Sequence, residues 1–329
     1  MRQTYRNLGR NGRLGNQLFQ IAGTIGRAHR ADDHGRATFP PWRYAPYFSI
    51  PDLHFTPIPP GERSIDGGHD YLQRLSEFED CDAYIREIFA PSELATHEAS
   101  LLRPRPSGHV TAVHVRRGDY LALTGLVTVC PLHYFTRAMD DMRRRHPGTH
   151  FMVFSDDAQW CTDHLAGPAD VRVVQPTEGS EIQNEMADFT SMRSADAFII
   201  SNSTYSWWAA YLSEKPDVIC PAKWFDGPSP VHVDDIIPES WQRNSIDPIG
   251  PMRRPSLRVA LGENGYIVTD ELRGRLHHLN PTSTLLYELC TGSNTRTDIA
   301  EAMGALFPDD VWKDGLVNLI ELGIVTDVP

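Results

Sequence analysis

Residues 110–120 read Val-Thr-Ala-Val-His-Val-Arg-Arg-Gly-Asp-Tyr, a run of apolar and β-branched residues that ends abruptly in charge and glycine. The run predicts a buried strand from Val110 to Val115, with its carboxyl end at Arg116. Because side chains alternate along a strand, His114 and Arg116 point to one face and Arg117 to the other. One arginine could then clamp a diphosphate while the other pairs with the nearby aspartate.

The same rhythm continues along the chain, where short apolar runs alternate with helical patterns. The predicted strands are Val110 to Val115, Phe151 to Phe154, Val171 to Val174, Ala197 to Ile200 and Val218 to Cys220. The predicted helices between them are Leu132 to His146, Ala158 to Leu165, Glu181 to Arg193 and Tyr205 to Glu214. This alternation predicts an α/β fold with a parallel sheet, whose ligands bind beyond the carboxyl ends of the strands.

Residues 13–105 predict a second α/β lobe with one clear helix, Gln17 to Arg30. The segment before that helix carries Gly9, Gly12 and Gly15, and a glycine loop at a helix start can turn its N–H groups toward an anion. The pattern matches neither the Walker phosphate loop, which needs Gly-Lys-Ser/Thr, nor the dinucleotide-binding fingerprint Gly-x-Gly-x-x-Gly. A plain glycine turn before the helix therefore fits equally well. Gln3 to Leu8 is only weakly strand-like, which predicts a poor edge strand or a true start elsewhere.

Composition narrows the class of protein. The chain has 31 basic and 43 acidic residues, a formal net charge of −12, which argues against nucleic-acid binding. No apolar run is long enough to span a bilayer, and no signal peptide is apparent. The 5 cysteines are scattered and never paired as Cys-x-x-Cys, so we expect a reducing cytosol, with peripheral membrane association left open.

Two further segments end predicted strands. Asp156 and Asp157 are adjacent instead of spaced, so they favour a strand end and helix cap over a metal site. Residues 201–204, Ser-Asn-Ser-Thr, begin a helix and offer hydroxyls and free N–H groups to a phosphate. The tandem Trp207 and Trp208 are predicted to lie in the core.

Four segments resemble the motifs of glycosyltransferase family 11, the alpha-1,2-fucosyltransferases and their bacterial relatives. They are Gly12 to Ala22, His114 to Tyr120, Phe154 to Asp157 and Asp188 to Leu212, in the family's order. The resemblance covers residues 9 to about 244. It implies a GT-B fold of two Rossmann-like lobes, an acceptor-side lobe at about 1–105 and a GDP-sugar lobe at about 106–247. The implied reaction is inverting transfer of L-fucose from GDP-β-L-fucose to an acceptor hydroxyl, as an alpha-1,2 linkage to a galactoside, with no cofactor or metal.

The resemblance also implies roles for individual residues. Arg116 and Asn16 would be catalytic, with Arg116 on the donor diphosphate. His114 and Asp188 would contact the guanine or its ribose. The remaining implied substrate-binding residues are Gly15, Gln17, Ser203, Thr204 and Ser206. No general base can be assigned from the sequence.

The residues after the transferase region form a separate prediction. Pro248, Gly250, Pro251 and Pro255 predict a linker over 248–256. Residues 257–329 predict three short strands and then three helices, a small α+β winged-helix-like domain. His277 to Thr282, Leu285 to Leu289 and Glu321 to Val325 are similar to the PqqD-like peptide-recognition domain of ribosomal-peptide biosynthesis. That resemblance implies docking of a leader peptide by strand addition.

Two alternatives to the fucosyltransferase hypothesis stay open. A transferase of another GDP-linked deoxyhexose would keep the same nucleotide site. A catalytically silent, GDP-sugar-like scaffold acting as a peptide-binding adaptor would use only the C-terminal domain. The acceptor would be a glycan or a peptide, and neither its identity nor the linkage position follows from the sequence.

Overall fold

The computed structural model describes residues 3–31, 37–50, 53–57, 63–64, 71–123, 125–227, 229, 231–307 and 311–327. They fall into two compact units, one of residues 1–130 and 138–244, the other of residues 131–137 and 245–329. The first unit carries the predicted site residues. No helix within the described ranges is both long and apolar enough to cross a membrane.

The first half of the first unit is built on a small parallel sheet with strand order β3-β2-β1-β4. Its elements are β1 (Gln3–Thr4), α1 (Leu14–Arg30), β2 (Ala37–Phe39), β3 (His54–Phe55), β4 (Arg63–Ser64), α2 (Asp82–Ile88) and α3 (Glu93–Leu102). The predicted edge strand near the start is therefore wrong, since β1 lies between β2 and β4. Two 3-10 turns, Leu75–Glu77 and Glu79–Cys81, precede α2.

The second half holds the predicted parallel sheet, with strand order β10-β9-β8-β5-β6-β7. Its strands are β5 (Val110–Val115), β6 (His150–Ser155), β7 (Val171–Val173), β8 (Ala197–Ile199), β9 (Val218–Pro221) and β10 (Gln242–Asn244). Its helices are α4 (Leu132–Arg145), α5 (Ala158–His164), α6 (Glu181–Arg193), α7 (Thr204–Ser213) and α8 (Val233–Ile236). The predicted strands and helices are confirmed to within two residues at each end. The β-branched residues favour the observed strands, and the capping residues favour the observed helix starts.

A close approach of α1 to α7 joins the two halves. Phe19 of α1 packs against Trp207 and Trp208, with ring centroids 4.7 and 4.9 Å away. Both tryptophans are fully buried, which confirms their predicted place in the core. Gly15 of α1 packs against the first turn of α7, and a Cβ on Gly15 would lie 2.4 Å from the Thr204 carbonyl carbon. Only glycine permits this backbone contact.

The second unit contains an antiparallel sheet of β12 (Arg258–Gly262), β13 (Gly265–Asp270) and β14 (Arg275–His278). Three helices follow, α9 (Pro281–Leu289), α10 (Arg296–Leu306) and α11 (Val311–Glu321). Residues predicted as a linker fold with this unit, since β11 (Met252–Arg253) pairs with β15 (Val325–Thr326). The second unit therefore includes residues 245–256, together with residues 131–137.

The α1–α7 contact predicts the effect of adding one methyl group. Gly15→Ala should destabilise the first unit by about 1–3 kcal/mol, because the methyl group meets backbone that cannot turn aside. Gly304→Ala in α10 is the matched control: a Cβ there meets nothing within 4 Å, so stability should stay equal or rise. Thermal unfolding of both variants measures this, and equal unfolding temperatures would contradict the close contact.

Candidate active site

Arg116 leaves the carboxyl end of β5 and is held by two carboxylates. Its Nη2 donates to Asp119 Oδ1 at 2.6 Å, and its Nη1 lies 3.0 Å from Asp156 Oδ2. The side chain is 13% exposed. Two charged partners hold the guanidinium at the carboxyl end of β5.

Asp156 organises this turn. Its Oδ1 accepts the backbone N–H of Arg117 at 2.9 Å while its Oδ2 pairs with Arg116. A Cβ on Gly118 would lie 2.6 Å from Asp156 Oδ2, so the glycine leaves the space that this carboxylate fills. The sequence analysis missed this role. An aspartate after one strand gives no signal that it supports the turn after the neighbouring strand.

Arg117 points away from Arg116. Its Nε lies 3.5 Å from Asp157 Oδ2, and its guanidinium carbon lies 4.0 Å from the centroid of the Trp160 ring. Asp119, the aspartate that follows the two arginines in sequence, therefore pairs with Arg116 and not with Arg117. Asp157 also caps α5 through the N–H of Trp160, which agrees with its prediction as a helix cap.

The glycine loop reaches α7 through Asn16. The Oδ1 atom of Asn16 accepts from Thr204 Oγ1 at 2.9 Å and from Gln73 Nε2 at 2.8 Å. Gly12 has φ +73°, and a Cβ there would touch Asn16. Arg13, in the same loop, lies 3.6 Å from Asp119. The loop therefore contacts the carboxyl ends of both β5 and β8.

Gln17 and Ser206 bond to protein groups. Gln17 Nε2 donates to the Gly12 carbonyl at 2.8 Å, and Gln17 Oε1 accepts the Trp42 indole N–H at 2.7 Å. Ser206 Oγ donates to the Ser203 carbonyl at 3.2 Å. Both side chains are buried, so in this structure they shape the loop and the start of α7.

Two uncapped helix starts meet at this place. Arg13 at the start of α1 and Ser203 at the start of α7 make no side-chain cap hydrogen bond. Uncapped first-turn N–H groups and the helix dipole favour an anion. Because Gly15 lies against Thr204 and Tyr205, the two starts are adjacent. The structure thus places two helix starts that favour an anion next to each other.

His114 is buried near the start of α7. Its Nδ1 lies 3.0 Å from Ser201 Oγ, and its ring centroid lies 5.6 Å from that of Tyr205. Burial, with a smaller effect from the Arg116 charge, lowers the pKa of His114 to about 3. The imidazole is therefore neutral at physiological pH and offers uncharged hydrogen-bonding groups.

Asp188 lies on α6 and is paired with a residue that the sequence analysis missed. The Nε atom of Arg103 donates to Asp188 Oδ1. Burial raises the pKa of Asp188, and the Arg103 charge offsets part of that rise. Arg103 follows α3 inside Arg103-Pro104-Arg105-Pro106, a pattern that indicates only a loop.

The buried His114 predicts a pH dependence of stability. Its pKa in the folded chain lies below the ordinary value near 6.5, so the unfolded chain binds the extra proton between about pH 3 and 6.5. Stability should therefore fall as pH drops through this range, by about 1.4 kcal/mol for each pH unit. In His114→Gln that part of the pH dependence should disappear, as measured by urea unfolding at several pH values. His97→Gln, at an exposed helix position, is the control and should keep the wild-type slope.

Comparison with known proteins gives several related sequences. An alpha-1,2-colitosyltransferase of Escherichia coli is 29% identical over 168 residues, 48% of this chain and 56% of that protein. The O-antigen biosynthesis glycosyltransferase WbnK of Escherichia coli is 33% identical over 126 residues, 37% of this chain and 41% of that protein. The chain thus spans about half the length of these relatives. A solved NodZ alpha-1,6-fucosyltransferase soaked with GDP-fucose covers 69% of this chain at 18% identity, with a TM-score of 0.45.

The family comparison covers more than half of the chain. Residues 35–243 match the sequence model described as glycosyl transferase family 11. That range contains His114, Arg116, Asp188 and the start of α7, whereas Gly15, Asn16 and Gln17 precede it. The chain belongs to glycosyltransferase family 11.

Proposed function

We propose that this chain transfers L-fucose from GDP-β-L-fucose to a hydroxyl group of a galactoside, forming an alpha-1,2 linkage with inversion. The acceptor oxygen bonds to C1 of the sugar as the bond from C1 to the β-phosphate oxygen breaks. GDP leaves with the bonding electrons, and the acceptor hydroxyl releases its proton. Family membership and the relatives named as fucosyl- and colitosyltransferases support this class of reaction.

The observation that carries the proposal is that Arg116 shares Asp119 with Arg13 at the uncapped start of α1, and that this helix start lies against the uncapped start of α7. Asp119 and Asp156 balance the charge of Arg116, so an added anion needs further positive groups. The starts of α1 and α7 supply them through N–H groups that no side chain caps, and Arg13 adds a cation whose side chain is 67% exposed. Such prepositioned donors stabilise the charge that develops on departing GDP, without requiring a metal ion.

In this proposal the guanine base of the donor binds beside His114 and Asp188. Neutral His114 and the Asp188 carboxylate both lie near the partly buried ring of Tyr205, whose hydroxyl donates to the Glu185 carbonyl at 2.5 Å. A carboxylate accepts the N–H edge of guanine, a pattern that adenine does not offer. We therefore place the GT-B-type donor site on the β5–β8 side, with the acceptor approaching from the lobe of residues 1–105.

The identity of the sugar is the open part of this proposal. One relative is named a colitosyltransferase and another a galactoside alpha-(1,2)-fucosyltransferase, 35% identical over 118 residues, from Bos taurus. In this proposal the groups described above bind the nucleotide diphosphate, and none of them is assigned to the sugar. Another GDP-linked deoxyhexose is therefore the alternative donor, and parallel assays with both donors distinguish the two.

The second unit supports a further candidate function, the docking of a peptide by a PqqD-like domain. Its strand β14 pairs on one side only, with β13, among the described strands. Leu276 in that strand is 56% exposed and Leu272 just before it is 84% exposed. An open strand edge with exposed leucines suits strand addition by an extended peptide. No catalytic residue is needed for this role.

Donor binding gives the direct test of the transferase proposal. Calorimetric titration of the full chain with GDP and with GDP-fucose, in EDTA, should show metal-independent binding. Arg116→Ala should weaken GDP binding about 10- to 100-fold through loss of a charged hydrogen bond. Arg117→Ala is the matched control, since Arg117 stacks on Trp160, and its effect should be much smaller. Equal losses in the two variants would contradict the assignment of Arg116.

The peptide proposal is tested separately with a displayed peptide library as the probe. Peptides selected on the full chain should lose binding to Leu276→Asp, because the charge disrupts the exposed face of β14. Leu306→Asp in α10, at a position 63% exposed, is the control and should retain binding. Selection of no peptide, or equal loss in both variants, would overturn the docking proposal while leaving the transferase proposal intact.

A further inference from the structure

A buried arginine outside the predicted site bonds to the predicted base-binding carboxylate. Arg103 follows the end of α3, and its residue is only 3% exposed. Its guanidinium donates from all three nitrogens. The acceptors are Asp188 Oδ1, the Leu102 carbonyl at 2.9 Å, Thr177 Oγ1 at 3.1 Å and Asn184 Oδ1 at 2.7 Å. These four hydrogen bonds hold the guanidinium in one orientation.

The two oxygens of Asp188 have different surroundings. Oδ1 is occupied by Arg103, whereas Oδ2 accepts no hydrogen bond that the described residues provide. The Asp188 side chain remains 26% exposed, so the carboxylate is not sealed off. A carboxylate fixed through one oxygen leaves the other available to a ligand.

An aspartate in this position needs such a partner. Burial disfavours the ionised carboxylate, and a nearby cation restores it. A protonated Asp188 would lose acceptor capacity and present a donor in its place, so its hydrogen-bonding pattern would no longer match an N–H edge. Arg103 thus affects both the direction of the carboxylate and its charge.

We infer that Arg103 is a positioning residue, which orients the Asp188 carboxylate to accept the N–H donors of the guanine base. This inference rests on the proposed function, because it assumes that the donor carries GDP. Arg103 itself touches no substrate in this account. Its bonds to Thr177 and Asn184 anchor it between the end of α3 and the start of α6.

The competing explanation is that Arg103 only stabilises the packing of α3 on α6. Both explanations predict that losing Arg103 lowers stability, so stability alone cannot separate them. They differ in whether the effect on GDP binding passes through Asp188. A double-mutant cycle measures that dependence.

The experiment compares GDP affinity in the wild-type chain, Arg103→Lys, Asp188→Asn and the double variant. We expect Arg103→Lys to weaken GDP binding at least 10-fold, and to add no further loss in the Asp188→Asn background. Arg105→Lys is the matched control, since Arg105 pairs with Asp196 near the surface and should leave GDP affinity unchanged. An equal loss from Arg103→Lys in both backgrounds, or no loss in either, would overturn the inference.

A pH profile adds a readout that packing alone does not change. Without the full Arg103 interaction the pKa of Asp188 should rise, so GDP affinity in Arg103→Lys should begin to fall at a higher pH than in the wild type. Asn184→Ala removes one anchor of Arg103 and leaves Asp188 in place, which covers the case that Arg103→Lys does not fold. It should shift the GDP profile in the same direction by a smaller amount, and an unshifted profile would count against the inference. A wild-type chain that binds GDP and ADP equally would instead refute the proposed function.

Discussion

The close approach of two helix starts is the constraint on which the candidate site depends. Gly15 lies so near the Thr204–Tyr205 backbone that a single methyl group would not fit. Around this contact, Asn16 bonds to Thr204, and Phe19 packs on the tandem tryptophans. The same contact therefore joins the two halves of the first unit and places two uncapped helix starts side by side. The residues that stabilise this contact therefore also position the proposed anion site.

Charge at the site is arranged in pairs. Arg116 lies between Asp119 and Asp156, Arg117 pairs with Asp157, and Arg103 pairs with Asp188. Each pair offsets the cost of placing a charge in a partly buried position. Pairing leaves little excess side-chain charge, so in our proposal the binding of an anion relies on oriented N–H groups and on the direction of each guanidinium. This fits a chain whose formal net charge is −12.

Much of this could be predicted from the sequence, and the remainder has physical reasons. The parallel sheet of β5 to β9 followed from alternating apolar runs, because both its strands and its helices carry strong local patterns. The two-residue strand β1 lacks such a pattern, and its central place is set by its neighbours. Asp156 and Arg103 were missed since their roles depend on partners 40 and 85 positions away. Proline and glycine near residue 250 indicated a linker, whereas pairing with distant Val325–Thr326 makes β11 part of the second unit.

Donor hydrolysis tests most directly whether the residues at the starts of α1 and α7 and after β5 form a working donor site. The measurement is GDP release from GDP-β-L-fucose by the full chain, in EDTA and without acceptor, compared with Asn16→Ala. Our account predicts slow, metal-independent GDP release by the wild type and a marked loss in the variant, because Asn16 links the glycine loop to α7. Release that requires a divalent metal, or that is unchanged in Asn16→Ala, would contradict it.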